Sequence, residues 1–125
     1  MHIPKFIFLL LFTLMSFAIN AQVHFGKALS NKNSQTIVSH LDASVDIKVE
    51  KKQDVYSQKQ AEVIINDFFK KHPISSFKIK HESTSKNGVR FLVGILVSGN
   101  KRYQLTLKYT ENGARKIQSF SVSSE

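Results

Sequence analysis

The sequence contains no cysteine and no tryptophan, and only two prolines and five glycines among its 125 residues. Without cysteine there is no disulfide scaffold, no thiolate metal ligand, no cysteine nucleophile and no lipid-modified cysteine. We find no linker and no internal repeat, and the chain length suits one domain. The protein must therefore be stabilised by an ordinary hydrophobic core, for which 42% hydrophobic residues are available.

Acidic residues are also scarce, since 9 Asp and Glu stand against 18 Lys and Arg and give a formal net charge of +9. A positive surface favours anionic partners, such as envelope lipids or acidic glycans. The five histidines show no paired spacing typical of a metal site, and no glycine-rich loop that would bind phosphate is present. The sequence therefore predicts no metal and no cofactor.

The one long apolar run lies at the N-terminus. Lys5 precedes fourteen mostly apolar residues, 6–19, and the small residue Ala21 follows where a signal peptidase would cut. Fourteen helical residues reach roughly 21 Å, less than the roughly 30 Å of a bilayer's hydrocarbon core. We therefore predict a signal peptide over residues 1–21 and a single mature domain over residues 22–125. The protein would be exported, periplasmic or secreted, with no transmembrane segment after cleavage.

Hydrophobic periodicity predicts the elements of the N-terminal half. Two short helices are expected near residues 25–29 and 34–41, with Ser34 as the N-cap of the second, followed by strands over residues 45–49 and 51–56. A longer helix begins at Ser57, which forms a capping box with Gln60, and ends before Pro73. Its apolar face consists of Ala61, Ile64, Ile65, Phe68 and Phe69.

The C-terminal half predicts a meander of four strands, over residues 77–84, 89–98, 102–110 and 114–123. The bends contain Asn87-Gly88, Gly99-Asn100 and Asn112-Gly113, which tolerate the positive φ of tight hairpins. Two-residue loops at the second and third bends, with two or four residues at the first, define both faces of the sheet. The inner face then carries Phe77, Ile79, Leu92, Leu96, Tyr103, Leu105, Leu107, Phe120 and Val122. Gly94 at its centre suggests a hollow or the close approach of a helix backbone.

The inner face becomes polar at one end. A four-residue first loop aligns Ser83, Arg90, Tyr109 and Lys116 in one row, with His81 and Gln118 in the next. Arg90 could bind a carboxylate through two hydrogen bonds, and His81 and Tyr109 could donate or accept hydrogen bonds. We predict a ligand site at His81, Arg90, Tyr109 and Gln118 for a small anionic or lipid-like molecule. The alternative is an ordinary sheet end, where Arg90 and Lys116 reach into water.

The outer face is apolar along one strand. The same register places five residues there, namely Val89, Phe91, Val93, Ile95 and Val97. Because such a stripe needs cover, we expect a homodimer through Phe91, Val93 and Ile95. Phe91 is the lone aromatic of this face, so the stacking platform of a nucleic-acid-binding sheet is missing and no nucleic-acid partner is expected.

The order of elements resembles the cone-shaped α+β fold of nuclear transport factor 2-like proteins, in the cystatin-like group. In that fold, N-terminal helices pack on a curved antiparallel sheet that ends in a four-strand meander. The stretches VYSQKQA at residues 55–61, DFF at residues 67–69 and SFKI at residues 76–79, followed by His81, look like a family of small secreted bacterial proteins of unknown function. The resemblance implies a pocket at the open end of the cone and dimerisation through the outer face, but no catalytic residue.

Three hypotheses about function remain at this point. The first is an exported, non-catalytic module that binds a small ligand or a partner. The second is a small isomerase or dehydratase in which His81 and Tyr109 act as an acid–base pair, since the interior strands offer no carboxylate. The third is a structural envelope protein that dimerises through its sheet.

Overall fold

The computed structural model describes residues 23–111 and 114–125, so the predicted signal peptide and the Asn112-Gly113 bend lie outside the described residues. The elements follow the order expected from the sequence. They are α1 (Phe25–Ser30), α2 (Gln35–Val38), β1 (Leu41–Val49), β2 (Lys52–Ser57), α3 (Gln58–Lys71), β3 (Ser76–Thr84), β4 (Val89–Ser98), β5 (Lys101–Thr110) and β6 (Lys116–Ser124). No helix within these two ranges is long and apolar enough to cross a bilayer.

The start of α3 confirms the predicted capping box. The hydroxyl of Ser57 accepts a hydrogen bond from the Gln60 amide at 3.3 Å, and the Gln60 side chain accepts one from the Ser57 amide at 3.2 Å. Ser34 holds the N-cap position of α2, but its side chain makes no capping hydrogen bond. The Asn33 side chain accepts instead, from the Thr36 amide at 3.4 Å.

The six strands form one sheet in the order β2-β1-β6-β5-β4-β3. Neighbouring strands are antiparallel except for β1 and β6, which run parallel and join the N-terminal hairpin to the end of the chain. The helix α3 connects β2 to β3, the two edge strands. It must therefore pass from one edge of the sheet to the other, and its buried residues Ala61, Ile65, Phe68 and Phe69 contribute to the core on the way.

The inner face is buried almost as predicted. Leu96, Leu105 and Leu107 are fully buried, as are Phe120 and Val122, whereas Ile79 remains 41% exposed. Gly94 neither meets a helix backbone nor faces a hollow. A Cβ added there would lie 2.2 Å from Cζ of Phe77, because the Phe77 ring of the adjacent strand covers this glycine. The outer stripe is also confirmed in position, with Phe91 38% exposed and its neighbours half-buried.

The predicted register of β4 with β5 is confirmed from Arg90 opposite Tyr109 to Ser98 opposite Lys101. The register of β3 with β4 is confirmed only as far as Ile79 opposite Gly94. A β-bulge then shifts the pairing by one residue and places His81 opposite Val93. Because a one-residue shift exchanges the two faces of a strand, His81 lies on the outer face and the prediction of an inner position is wrong.

The register of β5 with β6 also differs from the prediction. Lys116 pairs with Thr110 rather than with Tyr109, so the third loop is longer than two residues. A bulge follows, in which Tyr109 faces Ile117 and Gln118 is the extra residue. This shift brings Ile117 into the core, where it is fully buried, and turns Lys116 to solvent. Burying an isoleucine in place of a lysine is the energetic reason for the bulge.

Candidate functional site

The structure separates the four residues predicted as a ligand site. Arg90 and Tyr109 are register partners at the same end of the sheet. His81 is exposed on the outer face, and Gln118 is half-buried within the bulge of β6. The predicted polar row of the inner face therefore does not form.

A charged cluster occupies the place where the row was expected. Glu111 lies between two arginines, with one oxygen 2.7 Å from Nε of Arg90 and the other bonded to Nη2 of Arg115. Arg115 is 8% exposed, donates a hydrogen bond to the carbonyl of Val23, and lies over the Tyr109 ring at 5.7 Å. The Arg90 charge is thus balanced within the chain, and the cluster anchors the start of the described chain to the sheet.

A small cleft of about 250 Å³ opens beside Tyr109, which is 3% exposed and packs edge-to-face on Phe25. Its lining consists of His24, Phe25, Gly26, Lys27, Ile79, Glu82, Leu92 and Tyr109. Tyr109 therefore borders a cavity. Its neighbours there come from α1 and from the bulged part of β3, however, and this volume is below the roughly 300 Å³ at which small-molecule sites begin.

A larger cleft of about 340 Å³ lies between the C-terminal half of α3 and the β1–β2 hairpin. We call it the helix–hairpin cleft, and its lining consists of Ile47, Val49, Lys52, Tyr56, Ile64, Asp67, Phe68, Lys71 and His72. This volume falls within the range of small-molecule sites. The sequence alone does not indicate this cleft, because its walls come from elements that no local pattern relates to each other.

The arrangement of the helix–hairpin cleft follows from two periodicities. Alternation along β1 turns Ile47 and Val49 towards the helix, and the pairing of Lys52 with Val49 places Lys52 on the same side of β2. On α3, Ile64 and Phe68 are four residues apart and share one side of the helix. The cleft therefore has an apolar floor with charged and polar groups around it.

The electrostatics of the helix–hairpin cleft favour an anion. Asp67 is the one carboxylate of the lining, and it pairs with Lys71 at 3.1 Å. Lys52 forms no ion pair within residues 23–111 and 114–125, and it adds an unbalanced positive charge to the same cleft. An anionic group would find a counter-charge here without displacing an existing pair.

His72 ends α3 and lines the same cleft. Its Nδ1 lies 3.3 Å from the hydroxyl of Tyr103 on β5, and its ring packs on Phe68 with centroids 4.8 Å apart. Tyr103 is 5% exposed, so this contact lies at the border between cleft and core. The sequence did not single out His72, because its partner Tyr103 is 31 residues away along the chain.

A curved six-strand sheet packed with a few helices is the architecture of the nuclear transport factor 2-like class of α+β folds. A solved representative is an NTF-2 like protein of unknown function from Silicibacter pomeroyi. It is 11% identical to this chain, with a TM-score of 0.54 over 81% of this chain and 87% of that one. The predicted fold class is confirmed.

Within that class, the chain belongs to the DUF4783 family, a domain of unknown function whose sequence model matches residues 23–123. A family member from Bacteroides uniformis is 22% identical, with a TM-score of 0.71 over 80% of this chain and 93% of that one. One from Bacteroides fragilis is 20% identical, with a TM-score of 0.72 over 85% and 100%. No curated protein matches the chain. The predicted family resemblance is confirmed, and identities this low carry the fold alone.

Proposed function

We propose that the protein is a non-catalytic binding module that holds a small amphipathic anion in the helix–hairpin cleft. The single observation that carries the proposal is the combination of an apolar floor with a lysine that has no ion-pair partner in the described chain, in a cleft of about 340 Å³. Ligand sites typically combine apolar walls with a few convergent polar groups.

The apolar part of the ligand would lie against Ile47, Val49 and Phe68. Val49 is half-buried and Phe68 is 7% exposed, so the apolar floor of the cleft is part of the core but keeps some surface that a ligand can contact. Removing apolar surface from water contributes about 25 cal/mol per Å², which favours an alkyl or ring-containing ligand over a bare inorganic anion. The anionic head would then meet Lys52 and Lys71 at the margin.

The four residues predicted as a ligand site are not brought together on one face of the sheet. Arg90 is held by Glu111 at 2.7 Å, so a ligand carboxylate would have to compete with an internal one. The acid–base pair of His81 and Tyr109 does not form, since these residues lie on opposite faces of the sheet. An isomerase or dehydratase built on that pair is therefore not retained.

Three probes that combine a chain of about ten carbons with different head groups test the proposal by calorimetry. Decanoate should bind more tightly than decanol, and decyltrimethylammonium should bind least, because only the head group changes. Lys52→Met keeps the aliphatic stem and should weaken decanoate about threefold to tenfold. Lys78→Met is the matched control, because Lys78 is an exposed lysine on the outer face. Equal binding of all three probes, or equal effects of the two variants, would refute the proposal.

A second proposal concerns self-association through the outer face. Phe91, near the start of β4, is 38% exposed, and the other outward residues of this strand, including Val93 and Ile95, are half-buried. A second copy seated on β4 would remove this stripe from water. Light scattering should then show a dimer at micromolar concentration, which Phe91→Asp abolishes. Val55→Asp, at an equally outward but distant position that is 62% exposed, should leave it intact. A monomer at all concentrations would exclude the dimer.

We also propose that the domain acts outside the cytoplasm, after removal of residues 1–21. The support is the charged start, the apolar run and the small residue Ala21 described above. Mass spectrometry of the protein from its native host should give Gln22 as the N-terminal residue. An intact N-terminus would contradict this proposal.

A further inference from the structure

We propose that Tyr103 is a positioning residue for the helix–hairpin cleft: its hydroxyl donates a hydrogen bond to Nδ1 of His72 and so keeps the imidazole proton on Nε2. His72 then offers a neutral N–H donor to whatever enters the cleft. The assignment of the proton stands on the ligand-free structure, whereas its use in recognition rests on the proposed function.

The two side chains are held in place from several directions. Oη of Tyr103 and Nδ1 of His72 are 3.3 Å apart, and the two rings meet edge-to-face with centroids 5.2 Å apart. Phe68 packs against both rings, at 4.8 Å from His72 and 5.6 Å from Tyr103. The imidazole therefore has a fixed orientation, in which Nδ1 faces the sheet.

The direction of the hydrogen bond follows from which polar group would be left unsatisfied if the direction were reversed. His72 is the one hydrogen-bonding partner of the Tyr103 hydroxyl in the described part of the chain, and Tyr103 is 95% buried, since 5% of it is exposed. If Nδ1–H donated to Tyr103, the phenolic proton would lack an acceptor, and an unmet buried donor is costly. If Tyr103 donates, both groups are satisfied and the neutral ring carries its proton on Nε2.

This arrangement adds a selective element to a cleft that already attracts anions. Nε2 is separated from Nδ1 by Cε1, so its N–H points away from the Tyr103 hydroxyl, and His72 lines the cleft beside Lys71. An N–H donor binds a carboxylate oxygen but offers nothing to an ammonium group. Together with the lysines, it selects a ligand whose head group accepts hydrogen bonds as well as carrying negative charge.

Nitrogen NMR of the ligand-free protein tests the proton assignment directly. At about pH 8, where an ordinary imidazole is neutral, His72 should show a protonated Nε2 and an unprotonated, hydrogen-bonded Nδ1. In Tyr103→Phe the Nδ1 signal should move towards that of a free, unprotonated nitrogen. Tyr56→Phe, which alters the tyrosine of the cleft lining, should leave it unchanged. A proton on Nδ1 in the unaltered protein would overturn the proposal, and this measurement needs no variant to fold.

A double-mutant cycle with decanoate separates positioning from a merely structural role. Tyr103→Phe should weaken decanoate about threefold in the unaltered protein, and should have no further effect in a His72→Gln background, because Tyr103 acts through His72. Equal effects in both backgrounds would overturn the positioning role. Absence of decanoate binding to the unaltered protein would contradict the proposed function, while the NMR result would still decide the proton assignment.

Discussion

Glu111 shows how much a single side chain at the end of the sheet determines. Its carboxylate contacts Arg90 and Arg115, and the Arg115 side chain is only 7% exposed. The same arginine reaches back to the carbonyl of Val23, so the cluster joins the start of the described chain to the residues between β5 and β6. The sequence predicted Arg90 and Lys116 at this end of the sheet, and neither Glu111 nor Arg115 was expected there.

The first prediction is that Glu111→Gln lowers the free energy of unfolding by about 2–3 kcal/mol. The change leaves the guanidinium groups of Arg90 and Arg115 without their counter-charge, and Arg115 is buried. Removing one partner of a buried ion pair usually costs about 3–5 kcal/mol, and the expected loss is smaller here because Arg90 is partly exposed. Urea denaturation measures the loss. Glu125→Gln is the control, since its pair with Arg102 is exposed, and it should change the stability by less than about 0.5 kcal/mol. Similar losses in both variants would show that the cluster contributes no more than a surface pair.

At the scale of elements, the bend between β1 and β2 is fastened to the end of β6. Glu50, at the bend, has a positive φ of 57° and accepts hydrogen bonds from the amide of Ser124, at 3.0 Å, and from its hydroxyl. The hydroxyl and then the amide of Ser124 lower the pKa of the Glu50 carboxyl below its ordinary value. The Glu50 side chain therefore links β1 to β6 at the end of this parallel strand pair.

This contact gives a pH prediction with a defined sign. Because the pKa of Glu50 is lower in the folded protein than in the unfolded chain, its contribution to stability is present above the unfolded-chain pKa of about 4.5 and is lost as the pH falls through the folded value. Ser124→Ala should raise the pKa of Glu50 towards its ordinary value, because the larger of the two causes is removed. A carbon-detected NMR titration measures both forms. A Glu50 pKa at or above the ordinary value in the unaltered protein would contradict the prediction.

The elements themselves follow from short-range signals. The capping box at Ser57 is a contact between residues three apart, and the Gly99-Asn100 bend joins adjacent strands, so both could be predicted from the sequence. Gly99 adopts a φ of 60°, as a two-residue bend requires. The β4–β5 register was correct for this reason.

The β3–β4 and β5–β6 registers depend on core packing, which the residues of the connecting bends do not determine. An Asn-Gly pair is compatible with several loop lengths, and the bulges beside Ile79 and Tyr109 depend on which side chains reach the core. Burial of Ile117 and Arg115 favours the bulge beside Tyr109. One-residue shifts of this kind place His81 on the outer face and separate it from the other residues of the predicted site. The prediction of which residues form the inner face was otherwise correct.

At the scale of the whole molecule, the fold positions one long helix across a sheet and leaves a cleft between the C-terminal half of this helix and the β1–β2 hairpin. The residues of this cleft span from Ile47 to His72, and its polar support comes from Tyr103 on a different strand. No pattern of period two or 3.6 connects these positions. The cleft is a property of the assembled fold, and the sequence alone indicated only that anionic partners were favoured.

The location of ligand binding is the most direct test of the account. Two-dimensional NMR of the labelled protein, titrated with decanoate, should show the largest shift changes at Ile47, Val49 and Phe68, together with the side chain of His72. Residues around Tyr109 and on the outer stripe should change little. Saturable changes confined to the Tyr109 cleft, or none at millimolar decanoate, would contradict the helix–hairpin cleft as the functional site.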